Sequence, residues 1–194
     1  MKKKAGRIIA AVICIGVIVG AFYWISASRA KKSVENQVEL TEVEKLLTKD
    51  LEKNYPLTPR EVVKSYNRMV SCLYNETCTD EQIEGMADQL RILMDDELKE
   101  QNPKETYAES LKTDVESYKL AERKIVNVTV SDSADVQYKK KDGRECAYVK
   151  SSYFMEEGDK NYIRSVQCFV LRKDEAENWK ILGFYLEEGD STND

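Results

Sequence analysis

The side chains able to do chemistry in this 194-residue chain are unevenly supplied: five cysteines and eleven tyrosines stand among 35 acidic and 30 basic residues, with no histidine. Without an imidazole, Ser-His-Asp and Cys-His catalysis, His-ligated zinc and a histidine pH switch are excluded in their usual forms. Cys72, Cys78, Cys146 and Cys168 lie outside the apolar N-terminal stretch that holds Cys14. Their spacings lack the paired C-x-x-C pattern of a zinc site. Cys72 near one helix end and Cys78 just before the next helix could close a small disulfide loop in an oxidising compartment; free core thiols are the alternative. Counting across a two-residue turn at Gly158-Asp159 pairs Glu157 with Lys160 and sets Cys168 against Val149 and Cys146 against Leu171. That register puts the two thiols on opposite faces and predicts that they stay unbonded. The carboxylates Asp95, Asp96 and Glu97, with Glu100 one turn on, would suit a metal ion only if they converged. Helix neighbours point about 100° apart, so a solvated helix face is expected instead, and no metal or other cofactor is expected.

The stretch that decides where these groups work is Ile8 to Ala27, IIAAVICIGVIVGAFYWISA, which carries no charge and follows Lys2, Lys3, Lys4 and Arg7. Twenty residues at roughly 1.5 Å each match a hydrocarbon core about 30 Å thick. The run exceeds the roughly 7 to 15 residues of a signal-peptide core and ends in Phe22, Tyr23 and Trp24, aromatics suited to the headgroup boundary. A single transmembrane helix is therefore expected, with cleavage near Ser26, Ala27 and Ser28 as the alternative. The basic cluster of residues 1–7 places the N-terminus in the cytoplasm and the long C-terminal part outside the cell, although Arg29, Lys31 and Lys32 oppose it. The chain carries a net charge of −5, and four of its positive charges precede the apolar run, so the remainder is more acidic still. That sign argues against nucleic acid and against an anionic lipid surface as partners.

Residues 28–56 read as a helical stalk. Leu40, Val43, Leu47 and Leu51 form one apolar face, which suits either a coiled-coil seam or an amphipathic helix lying on the domain. The folded domain is then expected over 57–188, with a disordered tail at 189–194 and no second core. Thr58, Pro59 and Glu61, with Leu57 and Val62 as a staple, open one helix; Thr79 and Gln82, with Cys78 and Ile83, open another that buries Met86 to Leu98. Asn102, Pro103 and Glu105 open a third, which buries Tyr107, Leu111, Val115 and Tyr118. Past Arg123 the period changes to that of strands: Ile125 to Val130, Val136 to Tyr138, an Asp142-Gly143 turn, Cys146 to Met155, Tyr162 to Leu171 and Trp179 to Leu186. Short turns pair such strands antiparallel with their neighbours, so the expected fold class is α+β, three helices covering one face of a β-meander. Apolar residues at both parities of the two long strands predict a partly covered second face, open to a protein partner or a homodimer.

This order of three capped helices and a meander ending in NWKILGFYLEE resembles the NTF2-like (cystatin-like α+β roll) superfamily. The run from Leu57 to Glu188, with LYNETCTDEQIEGMADQLRILMDDEL and ECAYVKSSYF, is also similar to membrane-anchored proteins of clostridial bacteria. The resemblance implies a curved sheet that curls round the helices and can leave a cavity. Enzymes of that superfamily place an Asp, His or Tyr inside it. The polar candidates here are Tyr66, Tyr118, Tyr138, Tyr148 and Tyr153, with Asp114 or Asp135. No motif assigns any of them a catalytic role. The expected function is a non-catalytic, membrane-tethered binding or assembly module outside the cell, and the alternative is a small-molecule enzyme of the isomerase or dehydratase type.

Overall fold

The computed structural model describes residues 40–141, 143–159 and 161–187. The expected membrane helix at 8–27, residues 28–39 of the stalk, Asp142, Lys160 and the tail at 189–194 lie outside them. Among the described residues, no helix is long and apolar enough to cross a membrane.

The described chain is α+β, with five helices followed by five strands in one antiparallel sheet. The helices are α1 (Glu42–Leu47), α2 (Pro59–Asn75), α3 (Asp80–Ile92), α4 (Asp96–Gln101) and α5 (Lys104–Leu120). The strands are β1 (Arg123–Val130), β2 (Gln137–Lys141), β3 (Arg144–Glu157), β4 (Asn161–Lys173) and β5 (Trp179–Glu187).

Local chemistry accounts for most helix starts. Thr58 accepts from the Glu61 N–H ahead of Pro59, and Thr79 and Gln82 exchange both bonds of a capping box. An equivalent box at Thr41 and Glu44 opens α1 and was not anticipated. This helix buries Val43 and Leu46, and Leu51 follows them into the core, so the compact unit begins at Thr41 rather than at residue 57. Val43, Leu46 and Leu51 pack on the domain as the amphipathic reading expects, but the helix ends at Leu47 instead of running on to residue 56, and Leu40 is exposed. Leu47 of α1 sits over Gly85 of α3, where a Cβ would meet the Leu47 Cδ2 atom at 2.9 Å.

Two helix expectations need correction. The helix opened by Thr79 stops at Ile92 because the backbone beyond it turns to the sheet: Leu93 accepts from the Ile181 N–H and Asp95 donates to the Ile181 carbonyl, each at 2.8 Å. Met94 thereby forms a parallel bridge with Ile181 at the edge of β5, and α4 starts afresh. Asn102 does not cap α5. It ends α4, its amide donating to the Leu98 carbonyl at 2.9 Å, while Pro103 precedes α5 without a side-chain cap.

The sheet departs from a simple meander. Its order is β1-β3-β4-β5, and β2 pairs with the other half of the β3 edge that β1 occupies. Fourteen residues make β3 long enough to hold both. Its inward residues Ala147, Val149, Ser151, Tyr153 and Met155 are buried, as are Phe169 and Leu171 of β4 and Ile181 of β5. Against them pack Val62, Val63, Met69 and Leu73 of α2, with Met86 and Leu90 of α3.

The register between β3 and β4 is one residue from the expected one. Glu157 pairs with Asn161, so three residues rather than two lie between the strands. Gly158 in that link holds φ at +56°, a left-handed conformation for which glycine is suited. Cys168 therefore faces Lys150 and Cys146 faces Arg172, which puts both thiols on the same outward face. They remain four positions apart, roughly 13 Å at about 3.3 Å per residue, beyond disulfide reach. All four cysteines of the described chain are free, Cys72 and Cys78 included. The second face of the sheet is mixed: Tyr148, Val166 and Val170 are half-buried, whereas Phe154 and Tyr162 stack in the open with centroids 5.2 Å apart.

Candidate functional site: a tyrosine-lined cavity

Between α2, α5 and the inward face of the sheet lies a cavity of about 490 Å³. Its lining follows from periodicity. Tyr66, Val70 and Tyr74 recur every four residues on α2; Tyr107, Leu111, Asp114 and Tyr118 take spacings of four, three and four on α5. Tyr153 and Met155 are alternate residues of β3, and Ser165 and Gln167 are alternate residues of β4, each directly opposite an inward β3 position. Leu98 and Asn102 close one end from α4 and its cap, and Phe184 closes another from β5. The cavity thus depends on α4 leaving the line of α3.

Aromatic contacts hold the walls. Tyr74 and Tyr118 stack with centroids 4.0 Å apart, and the Arg123 guanidinium lies 5.1 Å from the Tyr118 ring centroid. Tyr66 meets Phe169 edge-on at 5.3 Å, with Phe184 beside both. Beneath the cavity, the Tyr153 hydroxyl donates to Asn67 Oδ1 at 2.6 Å and the Asn67 amide donates to Ser151 Oγ at 2.8 Å. Asn67 and Ser151 are both buried, so this chain satisfies polar groups that would otherwise be stranded in the core. The Tyr118 hydroxyl reaches Met155 Sδ at 3.7 Å. Among the described residues, the hydroxyls of Tyr66, Tyr74 and Tyr107 take no hydrogen-bond partner, and none of them is a fully buried orphan, so they open on the cavity.

Burial sets the protonation of this wall. It pushes Tyr66 well above the ordinary tyrosine value and Tyr74 and Tyr153 above it too. Tyr107 is pushed up to about 12, burial outweighing the opposing charge of Arg91. These four phenols are neutral near pH 7 and act as hydrogen-bond donors and acceptors, not as bases. Asp114, exposed at the rim, is the one carboxylate among the lining residues, and no lysine or arginine lines the cavity among the described residues.

Of the candidates read from the sequence, Tyr66, Asp114, Tyr118 and Tyr153 are brought together here. Tyr138 and Tyr148 are not. Tyr138 pairs with Ala147 at the far end of β3 and packs against Trp179 at 5.9 Å. Tyr148 points from the opposite sheet face, its ring 5.2 Å from Lys139 Nζ, in a shallow outer groove that Asp135 also borders. The sequence reading omitted Tyr74 and Tyr107 as cavity residues, together with Ser165, Gln167 and the supporting Asn67. The eight-residue spacing of Tyr66 and Tyr74 on one helix face was the available signal for the first of these.

The remaining chemical candidates resolve otherwise. Asp95 is not a solvated helix residue: it caps α4, accepting from the Glu97 N–H at 3.0 Å, and is buried against Arg172, whose Nε donates to it at 2.6 Å. Burial raises the Asp95 pKa, but the Arg172 and Glu97 hydrogen bonds and the Arg172 charge lower it further, leaving it below the ordinary value. Among the described residues, no cluster of three His, Cys, Asp or Glu side chains could hold a metal ion. Burial pushes the Cys72 thiol up to about 11 and raises Cys78, which keeps both protonated.

No curated protein matches the chain. A family model described as a domain of unknown function, DUF6715, matches residues 1–184. With nearly its whole length inside that match, the chain belongs to the DUF6715 family.

Proposed function

We propose that this protein is a membrane-tethered binding module of NTF2-like fold, held by a single helix at Ile8–Ala27, whose outward-facing domain takes a small molecule into the tyrosine-lined cavity. The observation that carries this reading is the cavity itself: about 490 Å³ of open space lined by apolar side chains and a few convergent hydroxyls, within the size range of small-molecule sites. The sheet packed on one side by helices supports the NTF2-like assignment, and the uncharged run between basic flanks supports the tether.

Binding is favoured over catalysis by the direction in which the cavity phenols titrate. Burial holds them neutral, and a general base needs a pKa near the working pH. The test is a small-molecule screen by ligand-observed NMR on the full chain in neutral detergent micelles, repeated on Ser110→Trp, which fills the exposed rim. Compounds that bind the wild type and not the filled variant establish the site. Compounds that bind both equally, or none that bind either, reject it.

A further inference from the structure

The lining of this cavity selects a chemical class of ligand, an inference that rests on the binding function just proposed. A cavity for an anion would present lysine, arginine or a cluster of backbone N–H groups. Here the only charged lining residue among those described is Asp114. The rest of the polar lining is neutral: the hydroxyls of its five tyrosines, three of them without a partner among the described residues, with Asn102, Ser110, Ser165 and Gln167.

Asp114 is not remote from those rings: it lines the same cavity, on the α5 face that also carries Tyr107 two turns before it and Tyr118 one turn after it. A ligand seated among the rings is therefore within reach of the carboxylate. Aromatic faces attract cations through the ring quadrupole, and an alkylated ammonium both covers apolar surface and satisfies a nearby carboxylate without needing strong hydrogen bonds. Arg123 already shows that the same aromatic wall accepts a cation, lying 5.1 Å from the Tyr118 centroid. Tyr118 is stacked by Tyr74, Tyr66 packs against Phe169 and Phe184, and Tyr153 is buried with its hydroxyl on Asn67. Among the described residues, Tyr107 is therefore the lining tyrosine best placed for a guest, with Tyr66 beside it in the wall. The acidic balance of the chain adds a long-range field of the right sign for drawing a cation in.

We propose that the cavity binds a small, soluble organic cation bearing an alkylated ammonium group, with Asp114 as its counter-charge and the tyrosine rings as its walls.

The test compares choline with 3,3-dimethyl-1-butanol, which has nearly the same shape and no charge. Both are titrated against the full-length protein in maltoside micelles, read by saturation transfer to the trimethylammonium or tert-butyl protons. The expected result is saturable choline binding about tenfold tighter than the neutral isostere, with the preference erased in Asp114→Asn and choline binding lost in Asp114→Lys. Asp114 is exposed, so neither substitution threatens the fold. Equal or tighter binding of the neutral compound, abolished by Ser110→Trp, overturns the cation assignment while the binding function stands. A choline preference unchanged in both Asp114 variants overturns it too. If neither probe gives a saturable signal, the cation assignment is overturned and the broader compound screen alone decides the binding function.

Discussion

Asn67 and the cavity tyrosines show how single side chains hold the site. Asn67 is buried and bonded on both sides, to Tyr153 and Ser151. Replacing it by leucine leaves the Tyr153 hydroxyl without its acceptor and should cost about 1–3 kcal/mol by chemical denaturation, partly recovered when Tyr153→Phe is added. The neutral phenols set an alkaline limit. Tyr66, Tyr74, Tyr107 and Tyr153 all have folded pKa values raised above that of the unfolded chain. Their contribution is complete below the unfolded value of about 10 and is lost as pH climbs through the folded values. The melting temperature should fall steeply above about pH 10, and Tyr107→Phe should flatten that fall. Residue chemistry was only partly legible beforehand. Helical spacing places Tyr66 and Tyr118 on inward faces, but which tyrosines share one space depends on how two helices and a sheet meet. Tyr138 and Tyr148 fell away for that reason, and Tyr107, read as ordinary core, turned out to keep its hydroxyl in the cavity.

Among the elements, α4 and its anchor are the least local part of the fold. The caps at Thr58 and Thr79 are written in a few consecutive residues, and both helices start where those residues say. The end of α3 is decided instead by Ile181, far along the chain, whose backbone captures Leu93 and Asp95. No pattern around residue 93 announces this, because Leu93, Met94 and Leu98 continue the apolar stripe of a longer helix. The same long-range logic explains Asp95, whose partner Arg172 lies on β4. Since both are buried, Arg172→Met strands the carboxylate and should cost about 3–5 kcal/mol, seen as a lower denaturation midpoint. The Asp95 pKa is depressed in the folded state, so its contribution is complete above the ordinary value of about 3.9 and is lost as pH falls through the folded one. Asp95→Asn should accordingly flatten the acid limb of the stability profile. The one register read from the sequence was missed: taking Gly158-Asp159 as a two-residue turn moved β4 by one position, which reverses the face of every side chain on it.

For the molecule as a whole, the α+β class and the order of helices before strands follow from the change of hydrophobic period near Arg123. The cavity does not, because its volume is what remains after α5 and α2 have packed on the sheet. Tethering yields its own expectation: fractionation should recover the full chain in the membrane, and protease added to intact cells should digest the domain from Thr41 onward. Recovery from the cytosol, or protection of the domain, contradicts the tether.

The most direct test of the binding function is the melting temperature of wild type and Ser110→Trp measured side by side against the compounds found by the screen. Saturation at about 100 times Kd should add about 2.7 kcal/mol to the wild type. For a domain of this size that is a rise of roughly 5–10 °C, absent in the filled variant. Equal shifts in both proteins, or none in either, would show that the tyrosine-lined cavity is not a binding site.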